Sequence, residues 1–277
     1  VITNRVFRVR IGNTLSTAMH MRAGVPQGSR IGPYLFILHT SGLPTPQDRQ
    51  SIIQTYVDDI MIGAHSNGAA HRLQLNLNNI REWAINTNIG VNPQKSQAIE
   101  LRTRIPTHAL TWGNERIEFS NIIVYLGMEF NKTLTRKPFI QRLRRKAVTL
   151  SKICRALNFS TNPNTAIKIY KQLIRPTLEY AAPAIRPIPI GHQQSYRAAH
   201  MKQLKRLLGL PINSPNTHLL TELQLDDPLT RLKELHHTQL HKFSVSPHPL
   251  NQRLFAPRWR NPRKLSPVDL WLQETQQ

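Results

Sequence analysis

The stretch Ile53-Gln54-Thr55-Tyr56-Val57-Asp58-Asp59-Ile60-Met61-Ile62 sets two apolar, strand-like runs on either side of two adjacent aspartates. Runs of this kind, joined so closely, predict an antiparallel hairpin ending at Gly63. Tight hairpins favour Asn-Gly or Asp-Gly at the apex, because the apical residues must tolerate positive φ. Two neighbouring negative charges are poor turn chemistry. Either the pair is simply a solvated turn, or it is a site against which something positive sits.

Around this hairpin the chain alternates strand and helix patterns. Residues 5–11 alternate apolar and basic side chains, predicting a half-exposed strand. A loop rich in Gly and Pro covers residues 23–29. Ile31, Leu35 and Leu38 then recur at helical spacing, with Ser29 as a cap and Pro33 tolerable only in a first turn. Ala70, Leu73, Leu77, Ile80 and Ala84 mark an amphipathic helix over about residues 67–86. Asn92-Pro93 breaks it from a strand near residues 98–101. A second hairpin is expected between residues 117–119 and 122–130, with Gly127 inside it.

Composition shifts at Asn131. From Asn131 to Leu178 there are 12 Lys or Arg residues and no Asp or Glu. Phe139, Leu143, Ala147, Leu150, Cys154 and Leu157 form a helical stripe, with Arg142, Arg145, Lys146 and Lys152 off it. A single basic helix face is ordinarily just solvated, but solvated faces mix signs, and this run does not. Further helices are expected around residues 165–175 and 196–208. Beyond Phe243 the prolines at 247, 249, 257, 262 and 267 predict a loosely ordered tail.

The whole chain carries the same bias: 37 Lys plus Arg against 15 Asp plus Glu, a formal net charge of +22 over 277 residues. Such a surface attracts polyanions, nucleic acid first among them. A hydrophobic fraction of 39% supports a packed core rather than a disordered polymer. No apolar run approaches the ~18 residues of a spanning helix. The single cysteine, Cys154, excludes an internal disulfide and multi-cysteine zinc modules, and its place on the apolar stripe reads as core. The start at Val1, with no apolar leader, reads as a piece of a longer polypeptide.

Paired apical carboxylates on rigid strands suit a divalent cation. Mg²⁺ takes hard oxygen ligands, commonly one or two carboxylates, and completes its shell with water and phosphate oxygens. In a strongly basic chain the matching substrate is a phosphodiester or a nucleoside triphosphate.

Four motifs in order sharpen this: AGVPQGSRIGPYLF, YVDD, VNPQKS and YLGMEF. Their order and spacing resemble the successive palm motifs of reverse transcriptases. IRPTLEYAAPAI further resembles the thumb of non-LTR retrotransposon polymerases of the jockey-like kind. The resemblance covers about residues 20–240. It implies an α+β fold, an incomplete palm of antiparallel sheet and helices over residues 1–130, an all-helical basic thumb over 131–242 and a Pro-rich tail over 243–277. It implies RNA-templated DNA synthesis on a DNA primer from deoxynucleoside triphosphates, with two Mg²⁺ ions or Mn²⁺ in their place. The rest of a polyprotein (fingers, endonuclease) would lie upstream, and a nuclear location follows only from the family's habit.

Residue by residue, the resemblance makes Asp58 the shared metal ligand and Asp59 a more peripheral acid, with Tyr56 and Val57 near the primer terminus. Gly24, Pro26, Gln27, Gly28 and Ser29 would face the incoming nucleotide and template base. Lys95 would approach the triphosphate, although an ordinary surface lysine reads equally well. Tyr125, Leu126 and Gly127 would grip the primer, and Arg142, Arg145, Lys146 and Lys152 would meet nucleic-acid phosphates. One departure stands out. The family's first palm strand carries a further metal-binding aspartate, yet residues 1–22 contain no acid. That acid is expected before Val1 or lost, so these residues alone are expected to lack activity, and an inactive nucleic-acid-binding remnant is the alternative.

Other clusters carry less. His236, His237 and His241 lack cysteines or acids at metal-ligand spacing and read as a solvated helix face. Trp112, Trp259 and Trp271 could stack on bases, with burial as the default.

Overall fold

The computed structural model describes residues 5–21, 24–25, 28–101, 109–157, 162–256 and 265–276. The chain forms two compact units, Val1–Ala98 with Arg104–Phe119, and Ile99–Thr103 with Ser120–Gln277. Small antiparallel sheets fill the first, and helices dominate the second.

In the first unit the strand expected at 5–11 is interrupted. β1 (Arg5–Phe7) pairs with β4 (Met19–Met21), while β2 (Arg10–Ile11) pairs with β3 (Thr14–Leu15). Val9 and Ser16 join the two ladders, the Ser16 amide donating to the Val9 carbonyl and the Val9 amide to Ser16 Oγ. These strands are almost wholly exposed, since a lone hairpin offers its apolar face nothing to bury against. α1 (Gly32–Thr40) carries Pro33 in its first turn as expected, and Ser29 Oγ accepts from the Gly32 amide at 3.0 Å. Its expected stripe is not a buried one, because Ile31 and Leu38 are exposed and Leu35 only half-buried.

β5 (Ser51–Tyr56) and β6 (Asp59–Ala64) form the expected hairpin, in a register that pairs Tyr56 with Asp59. α2 (Ala69–Asn86) packs on this hairpin and on β7 (Leu110–Trp112), which pairs with β8 (Glu115–Ile117). Ile80 and Ala84 of α2 meet the same need as Leu110 and Ile117, all four being buried. Gln74 fixes the edge of β7 by accepting from the Thr111 amide and donating to its carbonyl, at 2.9 and 3.0 Å. The expected pairing of residues 117–119 with 122–130 does not form. Ile117 pairs back to Leu110, and Ala98 bridges Phe119.

In the second unit β9 (Ile122–Tyr125) and β10 (Met128–Asn131) pair with each other, and β10 packs on α3 (Lys137–Ala156). The boundary expected at 130 therefore falls after a hairpin that belongs with the helices. α4 (Pro163–Ile169), a π-helical turn at Tyr170–Ile174, α5 (Arg175–Glu179) and α6 (Ala182–Ile185) follow. α7 (Ile190–Leu207), α8 (Asn216–Glu222) and α9 (Pro228–Ser244) complete the main helical body.

The predicted stripe of α3 is its buried face: Phe139, Leu143, Ala147 and Cys154 join Ile174, Leu178, Ile185 and Leu204 in one core. Leu157 is the exception, lying past the helix end and exposed. Burial raises the Cys154 thiol, consistent with a core role. Several polar groups in this core are paired, although His200 Nε2 is buried without a hydrogen-bond partner. Ser151 donates to Gln203 at 2.7 Å, Tyr170 Oη lies 3.0 Å from His200 Nδ1, and Arg231 donates to Glu179 at 2.5 Å. Burial drives His200 down to about 3, so it is neutral in the fold.

Two expectations fail in the C-terminal part. The tail is not loose where it is described, since α10 (Pro249–Phe255) and α11 (Pro267–Thr275) both contact α9. Ser266 and Asp269 make a reciprocal capping box, and Val268 and Trp271 share a small core with Leu240. Of the three histidines only His241 is exposed, His237 being half-buried. His236 is fully buried, with Nε2 3.0 Å from the Pro267 carbonyl oxygen, because α11 covers this part of α9. Trp259 lies outside the described residues, Trp271 is buried, and Trp112 is half-buried.

Candidate functional site

Two residues close the β5–β6 hairpin, Val57 and Asp58, and of the two only Val57 has positive φ, at 53°. That first apical position with positive φ is one that hairpins ordinarily give to Gly. A β-branched side chain there stores roughly 1–3 kcal/mol of backbone strain. Tyr56, Val57, Asp58 and Asp59 are all exposed. Neither carboxylate has a hydrogen-bond or ion-pair partner among the described residues. Ser51, at the opposite end of β5, is buried and donates to Asp48 at 2.8 Å, so the hairpin is anchored at its base and free at its tip.

The donor set at the tip is two hard carboxylates with open surroundings. Among the described residues no third His, Cys, Asp or Glu offers a ligand atom beside them. Two carboxylates fit Mg²⁺, which completes its octahedron with water and substrate phosphates and dehydrates reluctantly. His236, His237 and Glu274 do bring donor atoms within 4.8 Å of one another. There, however, both Glu274 oxygens already accept from Arg186, at 2.7 and 3.2 Å, and His237 adds a contact at 2.5 Å. That cluster is an ion-pair latch holding α11 rather than a cation site.

The same compact unit carries the glycine loop and Lys95. Gly24 and Gly28 have φ of 80° and 83°, and a Cβ at either would meet nothing within 4 Å. Their freedom is conformational, with open space left for a ligand to approach the backbone. Arg5 donates to the Gly24 carbonyl, tying the loop to β1. Pro26 and Gln27 lie outside the described residues. Lys95 ends a 3₁₀ turn at Pro93–Lys95, capped by Asn92 Oδ1, and its side chain is exposed with no partner among the described residues.

The remaining predicted residues belong to the second unit. Leu126 and Gly127 close β9–β10 with φ of 47° and 77°. On α3, Arg145, Lys146 and Lys152 are exposed, whereas Arg142 is half-buried and paired with Glu129 at 3.3 Å. Arg145 and Lys152, two turns apart, share the solvent face opposite the buried stripe. The sequence reading passed over Arg144 and Arg155, which are also exposed on α3, and Tyr180, whose hydroxyl donates to the Leu126 carbonyl at 2.6 Å. Helical spacing alone would have found the two arginines. Nothing local to Tyr180 marks a partner 54 residues away.

Comparison with known proteins adds to this geometry. Residues 2–130 match the family model "Reverse transcriptase (RNA-dependent DNA polymerase)". Over most of its length the chain is similar to polymerases of non-LTR mobile elements. It is 25% identical over 274 residues to the RNA-directed DNA polymerase from mobile element jockey of Drosophila funebris, covering 94% of this chain and 30% of that protein. It is 34% identical over 163 residues to the probable RNA-directed DNA polymerase from transposon BS of Drosophila melanogaster, covering 52% of this chain and 17% of that protein. The X-element polymerase of the same fly is 26% identical over 254 residues, covering 87% of this chain and 28% of that protein. The chain thus spans about a third or less of the length of these relatives. No solved structure matches it significantly. Among the described residues no helix is long and apolar enough to cross a membrane.

Proposed function

We propose that this chain is the palm and thumb segment of an RNA-directed DNA polymerase, and that Asp58 and Asp59 hold its catalytic Mg²⁺ ions. The observation that supports this most is the β5–β6 apex, where two carboxylates without a partner among the described residues follow a strained valine on a hairpin whose base is fixed. In the reaction the primer 3′-oxygen attacks the α-phosphorus of a deoxynucleoside triphosphate, its proton is lost, and pyrophosphate leaves. Bound at this apex, Mg²⁺ would lower the pKa of the attacking hydroxyl and offset charge on the leaving phosphates.

The chain's own residues do the positioning. Asp58 is the principal ligand and Asp59, paired in register with Tyr56, the peripheral one. Gly24, Gly28 and Ser29, with Pro26 and Gln27, face the nucleotide and template base. Lys95, exposed and without a partner among the described residues, meets the triphosphate and protonates pyrophosphate. Tyr56 and Val57 lie at the primer terminus, and Tyr125, Leu126 and Gly127 contact the primer backbone. Arg145, Lys146 and Lys152 hold duplex phosphates, giving affinity without sequence readout. Arg142 does so only by releasing Glu129. In this reading residues 1–130 serve as palm and 131–242 as thumb.

The test is primer extension on poly(rA)/oligo(dT), using this chain and a longer product of its reading frame matched to the jockey relatives. Mg²⁺-dependent extension that disappears in Asp58→Ala supports polymerase function. Salt-sensitive duplex binding without extension in either product points instead to an inactive binding remnant.

A further inference from the structure

Tyr180 follows directly after α5, and its hydroxyl reaches back 54 residues to the carbonyl of Leu126. The acceptor is the first of two loop residues in the β9–β10 hairpin, whose register pairs Tyr125 with Met128. Loop carbonyls at such an apex have no ladder partner, so an unsupported turn leaves them to solvent. Here the bond is 2.6 Å, short for a neutral hydroxyl and carbonyl. The ring also lies along the next residue, since a Cβ added at Gly127 would stand 3.5 Å from Tyr180 Cε1.

The donor is as firmly held as the acceptor. Glu179, its neighbour in sequence, accepts from Arg231 at 2.5 Å and lies 3.9 Å from Arg175. On the other side Ala181 takes φ of 58° and turns the chain into α6, whose Ala182 and Ile185 are buried. Tyr180 itself remains 48% exposed. A tyrosine retained for core packing would be covered. This one is a post standing at the surface, with its polar end spent on a hairpin tip.

We propose that Tyr180 is a positioning residue, holding the Leu126–Gly127 apex in the shape that contacts the primer strand near its recessed 3′ end. The inference rests on the reading of this hairpin as the primer-contacting element. It adds a residue of the helical segment that sets the geometry of that contact without touching the reacting atoms.

The experiment measures binding of the 277-residue chain to two labelled RNA–DNA duplexes, one with a recessed DNA 3′ end and one blunt, by fluorescence anisotropy across a salt series. Tyr180→Phe, which removes one oxygen and keeps the ring, is expected to weaken recessed-end binding by roughly threefold to tenfold, the scale of one hydrogen bond. Blunt-duplex binding and the salt slope should stay at wild-type values. Lys152→Ala, by contrast, should weaken both duplexes and lower the slope by about one. Wild-type affinity of Tyr180→Phe for the recessed duplex, or an equal loss on both, overturns the inference while leaving the primer reading standing. No duplex binding by the wild-type chain overturns the primer reading, and the inference with it. Amide hydrogen exchange at Gly127 and Met128 supplies a ligand-free arm. It should accelerate in Tyr180→Phe, and unchanged rates show that the hydroxyl does not hold the turn.

Discussion

The β5–β6 and β9–β10 hairpins both close through two residues, and both put an aliphatic side chain at positive φ, Val57 at 53° and Leu126 at 47°. Their surroundings differ. Leu126 is followed by Gly127, also at positive φ, so the loop has the backbone signature of a type I′ turn and its free carbonyl is taken by Tyr180. Val57 is followed by Asp58, with no glycine to ease the turn and no partner for the carboxylate among the described residues. One apex is stabilised by its own unit. The other keeps its strain at an exposed tip, which is where local rules are broken when a site requires particular side chains.

The largest effect expected from this contrast is chemical. Asp58→Asn keeps the shape of the apex and removes a charge that has no hydrogen-bond or ion-pair partner among the described residues. Thermal unfolding should therefore be unchanged, while extension by the longer polymerase should fall about a thousandfold, the equivalent of about 4 kcal/mol of metal-mediated transition-state stabilisation. A variant that unfolded earlier would mean that Asp58 is structural, and the distinction between the two apices would collapse.

Next in size is a difference between the units in acid. His200 and His236 are buried and neutral in the second unit, pushed down to about 3 and about 4 chiefly by burial. Both take up a proton more readily when unfolded, so they stabilise the fold above pH ~6.5 and lose that contribution as pH falls. The window runs from about pH 6.5 to the folded values, and at about 1.4 kcal/mol per pH unit per group the loss reaches several kcal/mol. Glu274, held low despite its burial by Arg186 and His237, acts in the same direction. Hydrogen exchange followed from pH 7 to 4, corrected for intrinsic rates, should show α7 and α9 opening while β5–β6 keeps its protection. Equal loss in both units would refute the assignment.

How much of this was legible follows the range of the interactions. The β5–β6 hairpin, α2 and the buried stripe of α3 rest on short-period patterns, and each formed where expected. The strand at 5–11 broke, and residues 117–119 paired back toward 110–112, because register is settled by partners that periodicity does not name. α11 was missed although Ser266, Asp269, Val268 and Trp271 carried its signals, since the surrounding prolines outweighed a nine-residue helix. At the candidate site, motif order is what singles out Asp58, Asp59 and the glycines. The pairing of Arg142 with Glu129 and the reach of Tyr180 to Leu126 were not legible, because each joins side chains brought together only by packing.

Two substitutions test the apices directly and should have opposite signs. Gly127→Ala forces a Cβ onto a residue at φ 77°, and the β9–β10 hairpin should lose about 1–2 kcal/mol. The Tyr180 ring, 3.5 Å from the new atom, gives ordinary contact and adds no clash. Val57→Gly relieves the same kind of strain at the other apex. Removing an L side chain from the left-handed region returns about 1–2 kcal/mol, and the added freedom of glycine in the unfolded chain withdraws about 0.5–1. A small net gain in the protection of β5–β6 is therefore expected, measurable by amide exchange at Asp59 and Ile60. If the glycine variant instead lost protection, the exposed valine would be contributing contacts that its 69% exposure does not suggest. The strain at the aspartate apex would then be compensated within the fold, and it would no longer distinguish this hairpin from its clamped counterpart.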